Sequence, residues 1–121
     1  MGNKSLNIMI VEDEGIIALS LKEILETWGH RVGHIAVFGE EAVELAGNDP
    51  PDLVLMDIKI CGKVDGIEAA RTIGRLYAIP VIFVSGYIDE NTLLLMKGVG
   101  PVGIISKPID FDKLGSMLER I

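Results

Sequence analysis

Three short runs of almost unbroken apolar residues constrain this chain more than any other feature: LNIMIV from Leu6 to Val11, DLVLM from Asp52 to Met56, and VIFV from Val81 to Val84. A strand with one face in water alternates polar and apolar residues, whereas a strand covered on both faces does not. The runs are branched in character and too short for buried helices, so each predicts a strand inside a parallel sheet. The segments between them read as helices. From Glu14 to Trp28 the residues Ile17, Leu21, Ile24, Leu25 and Trp28 keep the spacing of one helix face, and Gly29 is a natural terminator. Arg31 to Ile35 predicts a second strand, Gly39 to Ala46 a short helix, and Asp65–Gly66 the start of a helix through Arg75. A helix over Glu90 to Lys97 and a strand over Val102 to Ile105 follow. Asp110 is placed to cap the last helix, whose inner stripe is expected to hold Phe111, Leu114, Leu118 and Ile121. Strands alternating with helices throughout predict a doubly wound α/β sheet.

With 121 residues, 49% of them hydrophobic and 24% charged, the chain suits one core, so residues 1–121 are expected to form a single domain. No apolar run approaches the roughly 18 residues of a membrane span, and the N-terminus lacks the pattern of a signal peptide, so a cytoplasmic protein with no membrane contact is expected. Cys61, the only cysteine, cannot form an internal disulfide and reads as an incidental loop residue. A net charge of −7 argues against a nucleic-acid surface, which needs clustered Lys and Arg.

Ligands of such sheets bind beyond the carboxyl ends of the strands. The first predicted strand is followed there by Glu12 and Asp13, the third by Asp57, the fourth by Ser85, and the fifth delivers Lys107. Taken singly each has a plain reading: acids favoured at a helix N-terminus, an Asx turn, a turn hydroxyl, a solvated lysine. Together they place three carboxylates on one rim, where each pair at 4 Å repels by about 4 kcal/mol at an effective dielectric near 20. A bound Mg²⁺ would relieve this, with Asp13 and Asp57 as direct ligands and Glu12 acting through water. An ionised aspartate beside such a metal can attack phosphorus and form an acyl phosphate. Charge stabilisation of the transferred group then falls to Mg²⁺ and Lys107, with one hydrogen bond from Ser85.

These residues, in the pieces VEDE, LMDIKICGKVDGIEAA, PVIFVSGY and ISKP, resemble the receiver domain of two-component response regulators over essentially the whole chain from Leu6 to Ile121. The resemblance implies a (βα)5 flavodoxin-like three-layer sandwich with a parallel sheet of order 2-1-3-4-5. It also implies a signalling domain, not a turnover enzyme, that takes a phosphoryl group from a histidine kinase or phosphotransfer protein onto Asp57. Glu12, Asp13, Asp57 and the backbone carbonyl of Lys59 would then hold Mg²⁺, Ser85 and Lys107 would contact the phosphoryl group, and a cis peptide would precede Pro108. An output domain or partner protein, a second copy of the chain included, would read the phosphorylated state. The loop ICGKVDG is one residue longer than the commonest spacing and lacks the family's usual proline. Ile104 stands where relatives carry Tyr or Phe, so the change is expected to be read through Ser85, Tyr87 and the fourth helix.

Three rival readings are weaker. GVGPVG, from Gly98 to Gly103, matches a dinucleotide-loop pattern, but such a loop follows a strand and opens a helix, and here the order is reversed. An aspartyl-phosphate phosphatase of the haloacid dehalogenase type needs a second aspartate two residues after the nucleophile, where this chain has Lys59. A phosphorylation-independent interaction module would not need the full set of acids, hydroxyl and lysine. In the fourth helix Leu93, Leu94, Leu95 and Met96 are consecutive, so they span most of its circumference and at least one or two are expected on the outer surface.

Overall fold

The computed structural model of the chain describes residues 4–60, 62, 64–86 and 88–121. Strands and helices alternate in the order β1 (Asn7–Val11), α1 (Gly15–Thr27), β2 (Arg31–Ala36), α2 (Gly39–Asn48), β3 (Leu53–Asp57), α3 (Gly66–Tyr77), β4 (Val81–Ser85), α4 (Glu90–Val99), β5 (Gly103–Ser106) and α5 (Phe111–Glu119). The strands form one sheet of order β2-β1-β3-β4-β5 in which every pairing is parallel. This is the doubly wound topology, with helices on both faces.

Side chains alternate across a strand, so each central strand feeds two cores. On one face Met9, Val11, Val54, Met56 and Phe83 pack under α2, α3 and α4 through Ala42, Ala46, Ala69, Ala70, Ile73 and Met96. On the other Ile8, Ile10, Leu53, Leu55, Ile82 and Ile105 meet Ala18, Leu21 and Leu25 of α1 and Leu114, Met117 and Leu118 of α5. All residues of β3 and β4 are buried, which is why their sequences lack alternation. Each large side chain so covered contributes about 1.5–3 kcal/mol of apolar transfer.

Caps set several helix starts. Asp65, Asp89 and Asp110 accept hydrogen bonds from the backbone N–H groups of Glu68, Thr92 and Lys113. At the far end of α4, Gly100 adopts a left-handed conformation with φ of 78°, and β5 starts at Gly103. GVGPVG therefore ends a helix and enters a strand, which removes the dinucleotide reading. No helix among the described residues is long and apolar enough to cross a membrane.

Two expected helix faces need correction. In α1 the buried residues are Ala18, Leu21 and Leu25, while Ile24 is only half-buried and Trp28, at the C-cap, is exposed. The helix carries apolar residues all round, including the exposed Ile16 and Leu19, so spacing alone does not single out its inner face. In α5 the buried stripe is Leu114, Met117 and Leu118, and Phe111 faces outward at the first helical position.

Candidate functional site

The carboxyl ends of β1, β3, β4 and β5 deliver the site residues. Glu12 continues β1 by one residue, its N–H donating to Ala36 O of the neighbouring strand at 3.0 Å. That pairing turns the Glu12 side chain inward, where it is 3% exposed. Its Oε2 accepts the N–H of Glu14 at 3.1 Å and its Oε1 accepts the ammonium of Lys107 at 2.9 Å. Asp57 is the last residue of β3 and is 5% exposed. Its Oδ1 accepts the N–H of Lys59 at 3.0 Å, an Asx-type bond that fixes the carboxylate plane, and its Oδ2 accepts Lys107 Nζ at 2.8 Å.

Lys107 is placed by the backbone of β4: its N–H donates to Ser85 O at 2.8 Å, one step beyond the pairing of Ser85 with Ser106. A cis peptide joins it to Pro108, as the resemblance implies. Ser85 is buried at the end of β4. Asp13 is exposed at the mouth, and carboxylate oxygens of Glu12, Asp13 and Asp57 lie within 4.8 Å of one another. Glu12, Asp13, Asp57, Ser85 and Lys107 are thus brought to one end of the sheet.

Burial pushes the Glu12 carboxyl up; the Lys107 ammonium and the Glu14 N–H pull it back, the Asp57 charge pushes it up again, and the net position is above the ordinary carboxylate value. Burial alone would lower the Lys107 ammonium, but its hydrogen bonds to Asp57 and Glu12 outweigh this and raise it. The lysine therefore stays charged and ties two buried acids together. Carboxylate repulsion, which the sequence leaves to a metal alone, is thus relieved in part by Lys107. The three acids and one ammonium still sum to two negative charges. An all-oxygen donor set, partly buried and open on the Asp13 side, fits a hard divalent cation such as Mg²⁺.

Tyr87 and Cys61 lie outside the described residues. Ile104 sits half-buried in β5, opposite Phe83 of β4. Along α4, Leu93 is half-buried, Leu94 is 68% exposed, Leu95 is 53% exposed and Met96 is fully buried. A feature not read from the sequence is an apolar groove of about 300 Å³ beside the site, lined by Ile16, Ile17, Leu21, Pro108, Ile109 and Phe111. Its signal was the surplus of apolar residues in α1, more than one buried stripe uses.

Comparison with known proteins agrees with this arrangement. A sequence profile of the response regulator receiver domain matches residues 8–119. The transcriptional regulatory protein PdtaR of Mycobacterium tuberculosis is 32% identical over 112 residues, 93% of this chain and 54% of that protein. The phyllosphere-induced regulator PhyR of Methylorubrum extorquens is 33% identical over 114 residues, 93% of this chain and 42% of that protein. The chain thus spans about half the length of these curated relatives. Among solved structures, the signal receiver domain of a modulated diguanylate cyclase from Desulfovibrio desulfuricans superposes with a TM-score of 0.91 at 35% identity, covering 97% of this chain and 93% of that one. The response regulator domain of Thermotoga maritima CheB does so with a TM-score of 0.85 at 26% identity, covering 98% of each chain.

Proposed function

The chain belongs to the response regulator receiver domain family, and from that premise we propose that Asp57 accepts a phosphoryl group from a phosphohistidine on a histidine kinase or phosphotransfer protein. The observation that carries this reading is the seat of Asp57. It is a buried carboxylate held on one oxygen by the Lys59 N–H and on the other by Lys107, among acids whose oxygens lie within 4.8 Å. A carboxylate so held presents its oxygen in one orientation, and orientation accounts for much of the rate of a displacement at phosphorus. In the transfer an Asp57 oxygen forms the bond to phosphorus, the P–N bond breaks, and the donor imidazole leaves with the electron pair.

Glu12, Asp13, Asp57 and the carbonyl of Lys59 would hold Mg²⁺, whose charge would balance the acids and the incoming phosphoryl oxygens. As phosphorylation places new anionic oxygens at Asp57, Lys107 is placed to follow them, and the Ser85 hydroxyl, at the end of the adjacent strand, is placed to donate a hydrogen bond. The apolar groove between α1 and the start of α5 ends at Lys107 and is suited to seat the donor protein. An output domain, a partner or a second copy of the chain would read the change at Ser85, Tyr87 and α4, with Ile104 in the place of an aromatic switch.

Acetyl phosphate or a candidate kinase with Mg²⁺ tests the reading. The expected product is one acid-stable, base-labile phosphoryl group on the wild type and none on Asp57→Asn. Equal labelling of the variant would remove Asp57 from the role.

A further inference from the structure

Two glycines at helix N-termini lie close against backbone at and beyond the end of β3, one at Asp57 and Ile58 and the other at Val64. Gly66 opens α3, and its N–H donates to Ile58 O at 3.2 Å. A Cβ on Gly66 would strike the carbonyl oxygen of Asp57 itself and would lie 2.6 Å from Ile58 Cα and 2.9 Å from Asp57 C. These are backbone atoms at the end of a central strand, which cannot swing aside as a side chain can. Gly39 opens α2, and a Cβ there would strike the carbonyl oxygen of Val64 and lie 3.0 Å from its carbonyl carbon. Val64 is two residues before Gly66 in the same loop. The backbone of α2 therefore touches the loop, and the backbone of α3 touches the nucleophile's own peptide. Both glycines have ordinary φ values, so it is closeness of approach and not backbone conformation that requires them.

We propose that Gly66 and Gly39 are positioning residues for the phosphoacceptor. Gly66 sets the place of the Asp57 peptide directly, and Gly39 sets it from outside the site by bracing the β3–α3 loop at Val64. The inference rests on Asp57 as the acceptor. It predicts that α2, which contributes no group to the chemistry, adjusts the reactivity of Asp57, and that a methyl at either glycine displaces the carboxylate relative to Lys59 N–H and the neighbouring acids. Displacements near 1 Å in such sites cost up to about a hundredfold in rate.

The test uses Gly66→Ala and Gly39→Ala beside two controls. Gly74→Ala makes the same chemical change in α3 where a Cβ meets nothing within 4 Å. Ile73→Val trims the fully buried core and lowers the melting point away from the site. Three readouts are taken at a temperature where every protein is folded: the Lys59 amide resonance in metal-free protein, the Mg²⁺ dissociation constant from its titration, and the acetyl phosphate reaction resolved into maximal rate and half-saturating donor. Expected for Gly66→Ala is a displaced Lys59 resonance, weaker Mg²⁺ binding and a maximal rate down about tenfold or more, with smaller shifts of the same kind for Gly39→Ala. Both controls should match the wild type in all three. The proposal is overturned if the glycine variants fold and stay within about twofold of the controls in rate and affinity with Lys59 unmoved. If Gly66→Ala does not fold, Gly39→Ala decides by the same criteria. A wild type that takes neither Mg²⁺ nor phosphate would instead overturn the acceptor role of Asp57, while the Lys59 resonance would still report the two contacts.

Discussion

Lys107 Nζ lies 2.8 Å from Asp57 Oδ2, a contact between residues fifty positions apart that joins the ends of β3 and β5, and the same nitrogen reaches Glu12 at 2.9 Å. Removing the ammonium leaves two buried carboxylates facing each other. Breaking one side of such a cluster costs about 3–5 kcal/mol when the remaining charge stays buried. Lys107→Met should therefore melt well below the wild type at neutral pH. The deficit should shrink as pH falls, because burial already holds the Glu12 carboxyl above its ordinary value and the loss of the Lys107 contact that pulls it down leaves it binding its proton more tightly in the folded protein than in the unfolded chain. Urea titrations of both proteins at several pH values check this; a deficit that does not change with pH would rule out carboxylate repulsion as its cause.

Glu12, Asp13 and Asp57 sum with Lys107 to two negative charges, so a divalent cation that binds only the folded arrangement should stabilise it. At a hundred times its dissociation constant the ion contributes about 2.7 kcal/mol, roughly 8–14 °C in a domain of this size. The melting midpoint should rise with Mg²⁺ in the wild type and far less in Asp13→Asn, whose exposed side chain makes the substitution mild for folding. Equal shifts in the two proteins would place the ion elsewhere.

The fold was legible where burial is symmetrical and the site was legible where chemistry interrupts it. Ile8 to Val11, Leu53 to Met56 and Val81 to Val84 are apolar because helices cover both faces, and Glu12, Asp57 and Ser85 stand out as polar residues that end these runs. Orientation around α1 was not legible, because Ile16, Leu19 and Ile24 are as apolar as the buried Leu21 and Leu25. Nor was the joint hold of Lys107 on Glu12 and Asp57, since it depends on where a long flexible side chain settles among partners 95 and 50 residues away. The approach of Gly66 to Asp57 was equally hidden: in the sequence the glycine reads only as part of a helix start.

His30 is pushed below its ordinary value by burial, and its Nδ1 accepts the N–H of Leu6 at 3.0 Å, which requires the neutral ring. A folded-state pKa lower than the unfolded one gives stability that is fully present above the unfolded value near 6.5 and is lost as pH falls through the folded value. His30→Asn keeps an acceptor near that N–H without a titration. The stability difference between wild type and variant, measured in urea from pH 7.5 to pH 5, should therefore move against the wild type as pH falls. A constant difference would mean that His30 does not titrate differently in the two states.

Ala78 closes α3 in a left-handed conformation, φ 55°, and is the sole non-glycine residue with positive φ among those described. Side-chain crowding there costs roughly 1–2 kcal/mol, part of which glycine returns to the unfolded chain as entropy. Ala78→Gly should raise the urea midpoint by an amount equivalent to about 0.5–1 kcal/mol with no change in slope. An unchanged or lower midpoint would show that the αL strain is already relieved.

Leu94 and Leu95 are the exposed members of a four-residue apolar run whose last residue, Met96, is fully buried. The split separates stability from signalling. Met96→Ala removes a packed side chain beneath α4 and should cost about 2–5 kcal/mol. Leu94→Ser and Leu95→Ser remove no core contact and should stay within about 0.5 kcal/mol of the wild type. The double surface variant should also take up phosphate at the wild-type rate, because neither leucine lies among the acids of the site. If α4 carries the phosphorylated state outward, beryllofluoride with Mg²⁺ should shift amide resonances from Ser85 through residue 97 in the wild type. The double variant should retain the shifts near Ser85 while losing whatever self-association or partner binding phosphorylation induces. Resonances of α4 that stay fixed while those of α1 or α2 move would assign the output to another face, and the leucines would then be an apolar surface without a part in the switch.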